Sequence, residues 1–258
     1  MRTFIATLLL SVCVACTCYG QSANPGPPEV DPKLILSDNN TFNTYMYYNL
    51  KLLSANYTAY DTHLKPISKL EFLKQLTTGN YLFLKLSSTN GKLYFKLYKI
   101  NPSVNKDCYG MVSGYAPSFY ADYQRVGKKF PHFSFTDING TTYTSENTKG
   151  KIVVLKCWFI GCQACQQEMP ALNTMMQAYK NRKDIVFISL APDAKDKLQT
   201  FFSRRQFDYA KVGSQDAFIT KTLNVQEYPT HFIINKQGII VNVVNTADEL
   251  QYALQHDL

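Results

Sequence analysis

Two cysteines, Cys162 and Cys165, are separated by two residues in the segment KCWFIGCQACQQEMP, residues 156–170. A C-x-x-C pair fits dithiol–disulfide exchange, metal binding or ordinary packing in a core. A structural zinc site usually takes four ligands, whereas the sequence after residue 20 has no second C-x-x-C and its four histidines are widely dispersed. The pair therefore favours redox chemistry, and we expect neither a metal nor another cofactor.

The position of Cys162 predicts a different role for each of the two thiols. It lies where a buried-strand pattern, KIVVLKCWF, gives way to helical spacing in CQACQQEMPALNTMMQAY. The unpaired N–H groups at the start of a helix stabilise an anion by roughly 0.3–2 kcal/mol, or about one pKa unit. Cys165, one turn further on, would be more buried. We therefore expect Cys162 to be the nucleophile and Cys165 the resolving cysteine.

The elements around the pair predict an α/β domain. From Gly127 onward, strand patterns alternate with helical ones, which is typical of a largely parallel central sheet. The sequence predicts a strand pair around the turn in FPHFSFTDINGTTY, a buried strand at IVFISLA and a second strand pair from THFIIN and GIIVNVV. Asp193 is the expected cap of the helix in AKDKLQTFFSRR, and Thr246 to Glu249 forms a capping box for the last helix.

The preceding residues, 31–125, predict a smaller α+β region. A capping box from Ser68 to Glu71 opens a helix through Leu76, and Asn90-Gly91 between two alternating apolar runs predicts a β-hairpin. Residues 41–62 fit either helix or strand. Residues 101–125 are expected to be irregular, because prolines and glycines interrupt any helix there: Pro102, Gly110, Gly114 and Pro117.

The N-terminus predicts export. Arg2 precedes an apolar run, Phe4 to Val14, that is shorter than the ~20 residues of a membrane-spanning helix. We interpret residues 1–20 as a signal peptide and residues 21–30, rich in Pro and Gly, as a linker. A lipid anchor on one of the leader cysteines (Cys13, Cys16 or Cys18) is a weaker alternative, because the flanking residues fit it poorly. The four remaining cysteines are too few for a disulfide scaffold.

The charge distribution excludes one class of partner. The chain carries 27 Lys and Arg against 19 Asp and Glu, a net charge of +8. These basic residues are spread through both halves and interleaved with acids and apolar positions. Nucleic-acid binding needs a clustered basic surface, so we expect no nucleic-acid partner.

The segment KGKIVVLKCWFIGCQACQQEMPALN resembles the active-site block of extracytoplasmic thioredoxin-fold reductases, the TlpA-like and ResA-like branch of the AhpC/TSA-related redoxins. The resemblance runs from about Val126 to the C-terminus and is also carried by GKKFPHFSFTDINGTTYT, Trp158, Pro170 and VQEYPTHFIINKQGII. It implies a thioredoxin-like domain over 126–258, with a central mixed sheet flanked by helices. It also implies a thiol-disulfide oxidoreductase of the periplasm or cell envelope of a Gram-negative bacterium, acting on protein disulfides and dithiols and supplied by an upstream electron donor.

The resemblance also implies roles for single residues. Tyr228-Pro229 would be a cis peptide beside the cysteines, with Tyr228, Pro229 and Trp158 contacting substrate. Glu168 matches an acidic residue that helps to move protons at the resolving thiol; the alternative is a solvated helix carboxylate. His231 follows the proline and lies near the site or, as we prefer, is a strand histidine without a role.

Departures from the family pattern leave the redox direction open. Gly161 and Ala164 replace the more common aromatic residue and proline, and Lys156 stands where thioredoxins carry a buried acid. A thiol peroxidase is an alternative, although Phe159 occupies the place of the threonine that those enzymes commonly have. A copper chaperone of related fold is a weaker alternative, because the two cysteines of such proteins generally have three residues between them, whereas Cys162 and Cys165 have two. Two further cysteines, Cys108 and Cys157, are expected to be buried free thiols.

Overall fold

The fold is described from a computed structural model over residues 25–101, 103 and 106–256. The predicted signal peptide with its three cysteines, and residues 21–24 of the predicted linker, lie outside these residues. Among the helices described, none is long and apolar enough to cross a bilayer.

Residues 25–123 form a small α+β unit around a four-stranded sheet. Its helices are α1 (Pro32–Ile35), α2 (Asn39–Asn49), α3 (Lys69–Leu76) and α4 (Lys106–Tyr123), with a 3-10 turn at Leu50–Leu53. Its strands are β1 (Thr58–Tyr60), β2 (Pro66–Ile67), β3 (Tyr81–Lys85) and β4 (Tyr94–Lys99), in the order β2-β1-β4-β3. Only β1 and β4 pair in parallel; the other two pairs are antiparallel. The region that was ambiguous from sequence is thus helix α2, a 3-10 turn and strand β1.

The sequence signals for helix α3 and for the β-hairpin of this unit are confirmed. Ser68 Oγ accepts a hydrogen bond from Glu71 N–H at 3.1 Å, as a capping box requires, and α3 ends at Leu76. Strands β3 and β4 form the predicted hairpin, and Gly91 in its turn has a φ of 71°, where glycine avoids the strain of a side chain.

Helix α4 corrects the expectation that residues 101–125 are irregular. Cys108, Val112 and Ala116 recur every four residues and are buried in the core of the unit, a spacing that places them on one face of a helix. Gly110, Gly114 and Pro117 lie on the exposed face. The burial of one apolar face therefore offsets the cost of these helix-breaking residues.

The predicted linker is also partly ordered. Gly26 N–H donates to Ser87 O at 2.8 Å and Glu29 N–H to Lys85 O at 3.0 Å. Residues 26–29 therefore lie along the free edge of β3 and are not a loose tether. Proline is tolerated there, since an edge segment can leave a position without a donor.

Residues 134–256 form an α/β unit around a five-stranded mixed sheet. Its strands are β5 (Ser134–Thr136), β6 (Thr142–Thr144), β7 (Ile152–Cys157), β8 (Ile185–Leu190), β9 (Ala210–Val212), β10 (Thr230–Ile234) and β11 (Ile240–Val244). Its helices are α5 (Gln163–Gln167), α6 (Met169–Gln177), α7 (Lys195–Phe202) and α8 (Ala247–His256), with a π-helical turn at Phe218–Thr222. The main sheet has the order β11-β10-β7-β8-β9, while β5 and β6 pair separately. Only β7, β8 and β9 are parallel, so the sheet is less parallel than the alternating pattern suggested.

Strand β7 is buried on both faces of the main sheet and carries the site. Val154 and Trp158 contact the core beneath α5 and α6, whereas Leu155 and Cys157 contact the core on the opposite face. This alternation follows the two-residue period of a strand. It places Lys156 on the same face as the C-x-x-C helix.

A hydrogen-bonded junction around Asn245 joins the two units. Asn245 Nδ2 donates to Asp122 Oδ2 on α4 at 2.6 Å, and Asn245 N–H donates to Glu249 Oε2 on α8 at 2.9 Å. Arg125 forms an ion pair with Asp122 at 2.5 Å. Burial raises the pKa of Glu249 to about 7, and the nearby acids Asp122, Asp248 and Glu168 add to this increase.

Substitution of Glu249 by glutamine should change how stability depends on pH. The pKa of Glu249 lies above its ordinary value of 4.5, so the protonated group stabilises the fold below pH 4.5 and this contribution is lost as pH rises through about 7. We expect wild type to lose about 2 kcal/mol more than Glu249→Gln in urea-unfolding free energy between pH 5 and pH 8. Equal losses in the two proteins would contradict the assignment.

Candidate active site

The two cysteines lie at the start of α5, directly after β7. They form a disulfide, with Cα atoms 5.3 Å apart. Cys162 is the N-cap residue of α5, and its Sγ accepts a hydrogen bond from Cys165 N–H at 3.2 Å. Cys162 is 7% exposed and Cys165 is completely buried. Of the two sulfurs, that of Cys162 is thus the one placed for contact with a partner.

The loop that leads into Cys162 is held by contacts distant in sequence. Ile160 N–H donates to Asp193 Oδ2 at 2.9 Å, and Gln166 Nε2 donates to Ile160 O at 2.5 Å. Asp193 was expected to cap α7, but Ala194 occupies that position and Asp193 contacts the cysteine loop instead. No local pattern signals this contact, because it spans 33 residues.

The proline loop lies beside the cysteine loop. Tyr228-Pro229 is a cis peptide, as the resemblance implied, and Thr230 at the start of β10 pairs with Cys157 at the end of β7. The ring of Tyr228 packs edge-to-face on Phe159, with ring centroids 5.3 Å apart. The structure therefore brings Tyr228 and Pro229 together with the segment that precedes Cys162.

Trp158 is not placed as expected. Its side chain is completely buried and packs against Phe201 and Phe202 of α7, with ring centroids 5.5 Å away in each case. A buried indole of this size stabilises the core. Since it presents no surface to a partner, the expectation that Trp158 contacts substrate is corrected: it supports the cysteine loop from below.

Three ionisable side chains are buried beneath the C-x-x-C helix. Lys156 and His231 are directly opposite each other on β7 and β10, and both are completely buried. Both contact the carboxylate of Glu168, at the break between α5 and α6: Lys156 Nζ forms an ion pair with Oε1, and His231 Nε2 lies 3.0 Å from the same oxygen. We call Lys156, Glu168 and His231 the buried triad.

The triad holds Glu168 in its charged form. Burial alone would raise the pKa of Glu168, but the charges and hydrogen bonds of His231 and Lys156 outweigh it and lower the pKa. Burial lowers the pKa of His231 and also that of Lys156, and in both cases the attraction of Glu168 opposes this effect. Since the carboxylate can only accept, His231 Nε2–H donates to it.

The triad settles two open interpretations. Glu168 is largely buried and paired, so it is not a solvated helix carboxylate. His231 has a specific partner in Glu168, which corrects our preference for a histidine without a role. Cys165 and Glu168 are three residues apart along the chain, a spacing that brings side chains together on a helix. This spacing places Glu168 about one helical turn after Cys165.

Cys108 and Cys157, the other two cysteines in the described part of the chain, are buried free thiols. Cys157 is completely buried on the opposite face of the sheet, and burial raises the pKa of its thiol to about 12. Cys108 is buried in α4, and burial also raises the pKa of its thiol. Since the thiolate is the reactive form, neither is suited to exchange at neutral pH. Within the described ranges, no group of three His, Cys, Asp or Glu side chains is arranged to hold a metal ion.

Comparison with known proteins indicates the same class of protein as the geometry of the C-x-x-C pair. The AhpC/TSA family model matches residues 126–243. The chain is 30% identical over 143 residues to a thiol-disulfide oxidoreductase ResA of Bacillus cereus, covering 53% of this chain and 82% of that protein. It is 27% identical over 135 residues to the thioredoxin-like protein YneN of Bacillus subtilis, covering 51% of this chain and 79% of that protein.

Among solved structures, the chain is similar to the thioredoxin domain of a thiol-disulfide oxidoreductase from Bacteroides vulgatus. The TM-score is 0.46 and the sequence identity is 21%, and the match covers 50% of this chain and 95% of that chain. The C-x-x-C pair at the start of α5 and the two curated relatives together define the class, that of the thiol-disulfide oxidoreductases. Within it, the chain belongs to the ResA family. The matched part is the C-terminal half.

Proposed function

We propose that this protein reduces disulfide bonds in exported proteins, outside the cytosol, after removal of residues 1–20. The observation that carries the proposal is the Cys162–Cys165 pair at the start of α5, with Cys162 the more exposed sulfur and Pro229 in the adjacent loop. The predicted signal peptide supports the location, which we place in the periplasm or envelope of a Gram-negative bacterium.

In the reduced protein, the Cys162 thiolate attacks one sulfur of a substrate disulfide. A mixed disulfide forms and the other substrate sulfur leaves as a thiolate, which takes up a proton. The Cys165 thiolate then attacks Cys162 Sγ, which releases the second substrate thiol and forms the Cys162–Cys165 disulfide. Two electrons pass to the substrate, and a dithiol donor must return the protein to its reduced form.

Each remaining residue has a proposed part in these steps. Glu168 accepts the proton of Cys165 as that thiol becomes a nucleophile, since the triad keeps its carboxylate ionised. The backbone of Tyr228, next to Pro229, pairs with the substrate chain. Asp193 and Trp158 hold the cysteine loop in place.

The reduction potential of the Cys162/Cys165 couple tests the direction of transfer. We expect a value of about −270 mV, typical of a reductant. It is measured by equilibrating the protein with dithiothreitol redox buffers and counting free thiols by alkylation and mass spectrometry. The value for Cys157→Ala should be the same. A potential of about −120 mV would instead identify a disulfide-forming oxidant.

The AhpC/TSA match raises a second candidate, a thiol peroxidase. A thiol peroxidase would consume hydrogen peroxide rapidly, in a reaction that depends on Cys162. Phe159 takes the place of the expected threonine, and its ring packs on Tyr228, so it supplies no hydroxyl near Cys162. We therefore rank disulfide reduction first.

A further inference from the structure

A cleft of about 670 Å³ lies between the N-terminal unit and the C-x-x-C helix. One wall comes from α2 and α4 and carries apolar and aromatic side chains: Met46, Tyr47, Met111 and Tyr115. The opposite wall includes Ala164, which stands between the two cysteines, and Pro229. The cleft therefore borders the C-x-x-C helix and the proline loop. We call it the α2/α4 cleft.

The wall from the N-terminal unit has the character of a binding surface. Tyr47 is 78% exposed and Tyr115 is 47% exposed, although most large apolar side chains of this unit are buried in its core. Tyrosine and methionine are enriched at protein interfaces, and methionine adapts to differently shaped partners. Tyr47 and Tyr115 thus offer ring area that the fold itself does not use, next to the more buried Met46 and Met111.

This wall is fixed with respect to the exchange site. Ser118 Oγ on α4 donates to Glu227 Oε2 at 2.7 Å, and Glu227 directly precedes Tyr228-Pro229. The Asn245 junction ties the same helix to the end of β11. A wall held in place contributes to binding without an additional ordering cost.

We propose that the α2/α4 cleft binds the polypeptide segment that carries the substrate's disulfide-bonded cysteine, and that it selects segments with an apolar side chain next to that cysteine. When a substrate sulfur meets Cys162, its neighbours along the chain extend by about 3.3 Å per residue. On one side of the substrate cysteine, these neighbouring residues pass Ala164 and Pro229 and enter the α2/α4 cleft. A small disulfide such as oxidised glutathione has no such side chain.

This inference rests on the proposed function, and its test separates the two. The reduced protein is mixed with three oxidants: a six-residue peptide homodisulfide with leucine next to its cysteine, its counterpart with serine there, and oxidised glutathione. Single-turnover rates are followed by acid quench and mass spectrometry. We expect wild type to react about tenfold faster with the leucine peptide than with the serine peptide, a preference of the size that a few apolar contacts give.

The variant Tyr47→Ala/Tyr115→Ala should lose this preference and keep its rate with glutathione. Tyr109→Ala is the matched control, because Tyr109 lies on the same helix as Tyr115, is 39% exposed and is outside the cleft lining. It should retain the preference. Equal wild-type rates with both peptides would overturn the inference, as would a double variant slowed equally with all three oxidants. If no disulfide oxidises the reduced protein, the proposed function itself fails and the inference fails with it.

Discussion

Replacement of Cys162 by serine should lower the rate of insulin-disulfide reduction by about a thousandfold or more, because the attacking thiolate is lost. Replacement of Cys165 by serine should have a different effect. Cys162 could still attack, but the mixed disulfide would not be resolved from within the protein. Cys165→Ser should therefore accumulate a covalent adduct with its substrate through Cys162, visible by mass spectrometry and released by dithiothreitol.

The matched control is Cys157→Ala, which removes a thiol five residues from Cys162. Its side chain is buried on the opposite face of the sheet, and its raised pKa keeps it protonated at neutral pH. We expect a rate within about twofold of wild type. An adduct formed through Cys165 or Cys157, or full activity in Cys162→Ser, would contradict the assigned roles.

Replacement of Lys156 by methionine should destabilise the fold by about 3–5 kcal/mol at pH 7.5. Methionine fills the space, but the carboxylate of Glu168 is left buried without its cationic partner, and a buried unpaired charge carries a cost of this size. The double variant Lys156→Met/Glu168→Gln removes both charges, and the glutamine oxygen still accepts from His231. It should recover most of the loss. Urea unfolding of the oxidised proteins measures all three stabilities.

The pH dependence of this variant should reverse that of wild type. In wild type the pKa of Glu168 is lowered, so its contribution to stability is present above the ordinary value of 4.5 and is lost as pH falls through its folded pKa. In Lys156→Met the ammonium group that helps to offset burial is gone, so we expect the pKa of Glu168 to rise. The variant should then be relatively most destabilised near pH 8 and should recover as pH falls towards 5. Lys149→Met, at an exposed position, is the control and should match wild type. A Lys156→Met protein as stable as wild type at pH 7.5 would exclude the buried ion pair.

The sequence predicts best those features that local chemistry determines. The Ser68–Glu71 capping box, the turn at Asn90-Gly91 and the buried strand β7 each depend on residues only a few positions apart. The spacing of Cys162 and Cys165 likewise fixes their relation to α5. The cis peptide at Pro229 was expected only through the family resemblance, since an X-Pro bond is trans by default.

The features that were missed depend on contacts between distant segments. Asp193 resembled a helix cap, but the N–H of Ile160 is its partner. Lys156 and His231 look unrelated along the chain, and their positions opposite each other follow from the register of β7 and β10. Helix α4 forms despite Pro117 because tertiary packing outweighs local preference. One signal was available: Lys156 is a single cation within an apolar strand, and a buried cation requires a buried anion nearby.

The Asn245 junction also limits how the molecule can be divided for engineering. A fragment starting at residue 126 would separate Asn245 from Asp122 and uncover apolar side chains that α4 now shields, including Val243. Such a fragment would carry a newly exposed apolar patch beside β11. Chimeras that exchange the N-terminal half between relatives should therefore transfer α4 together with its contact residues on β11 and α8.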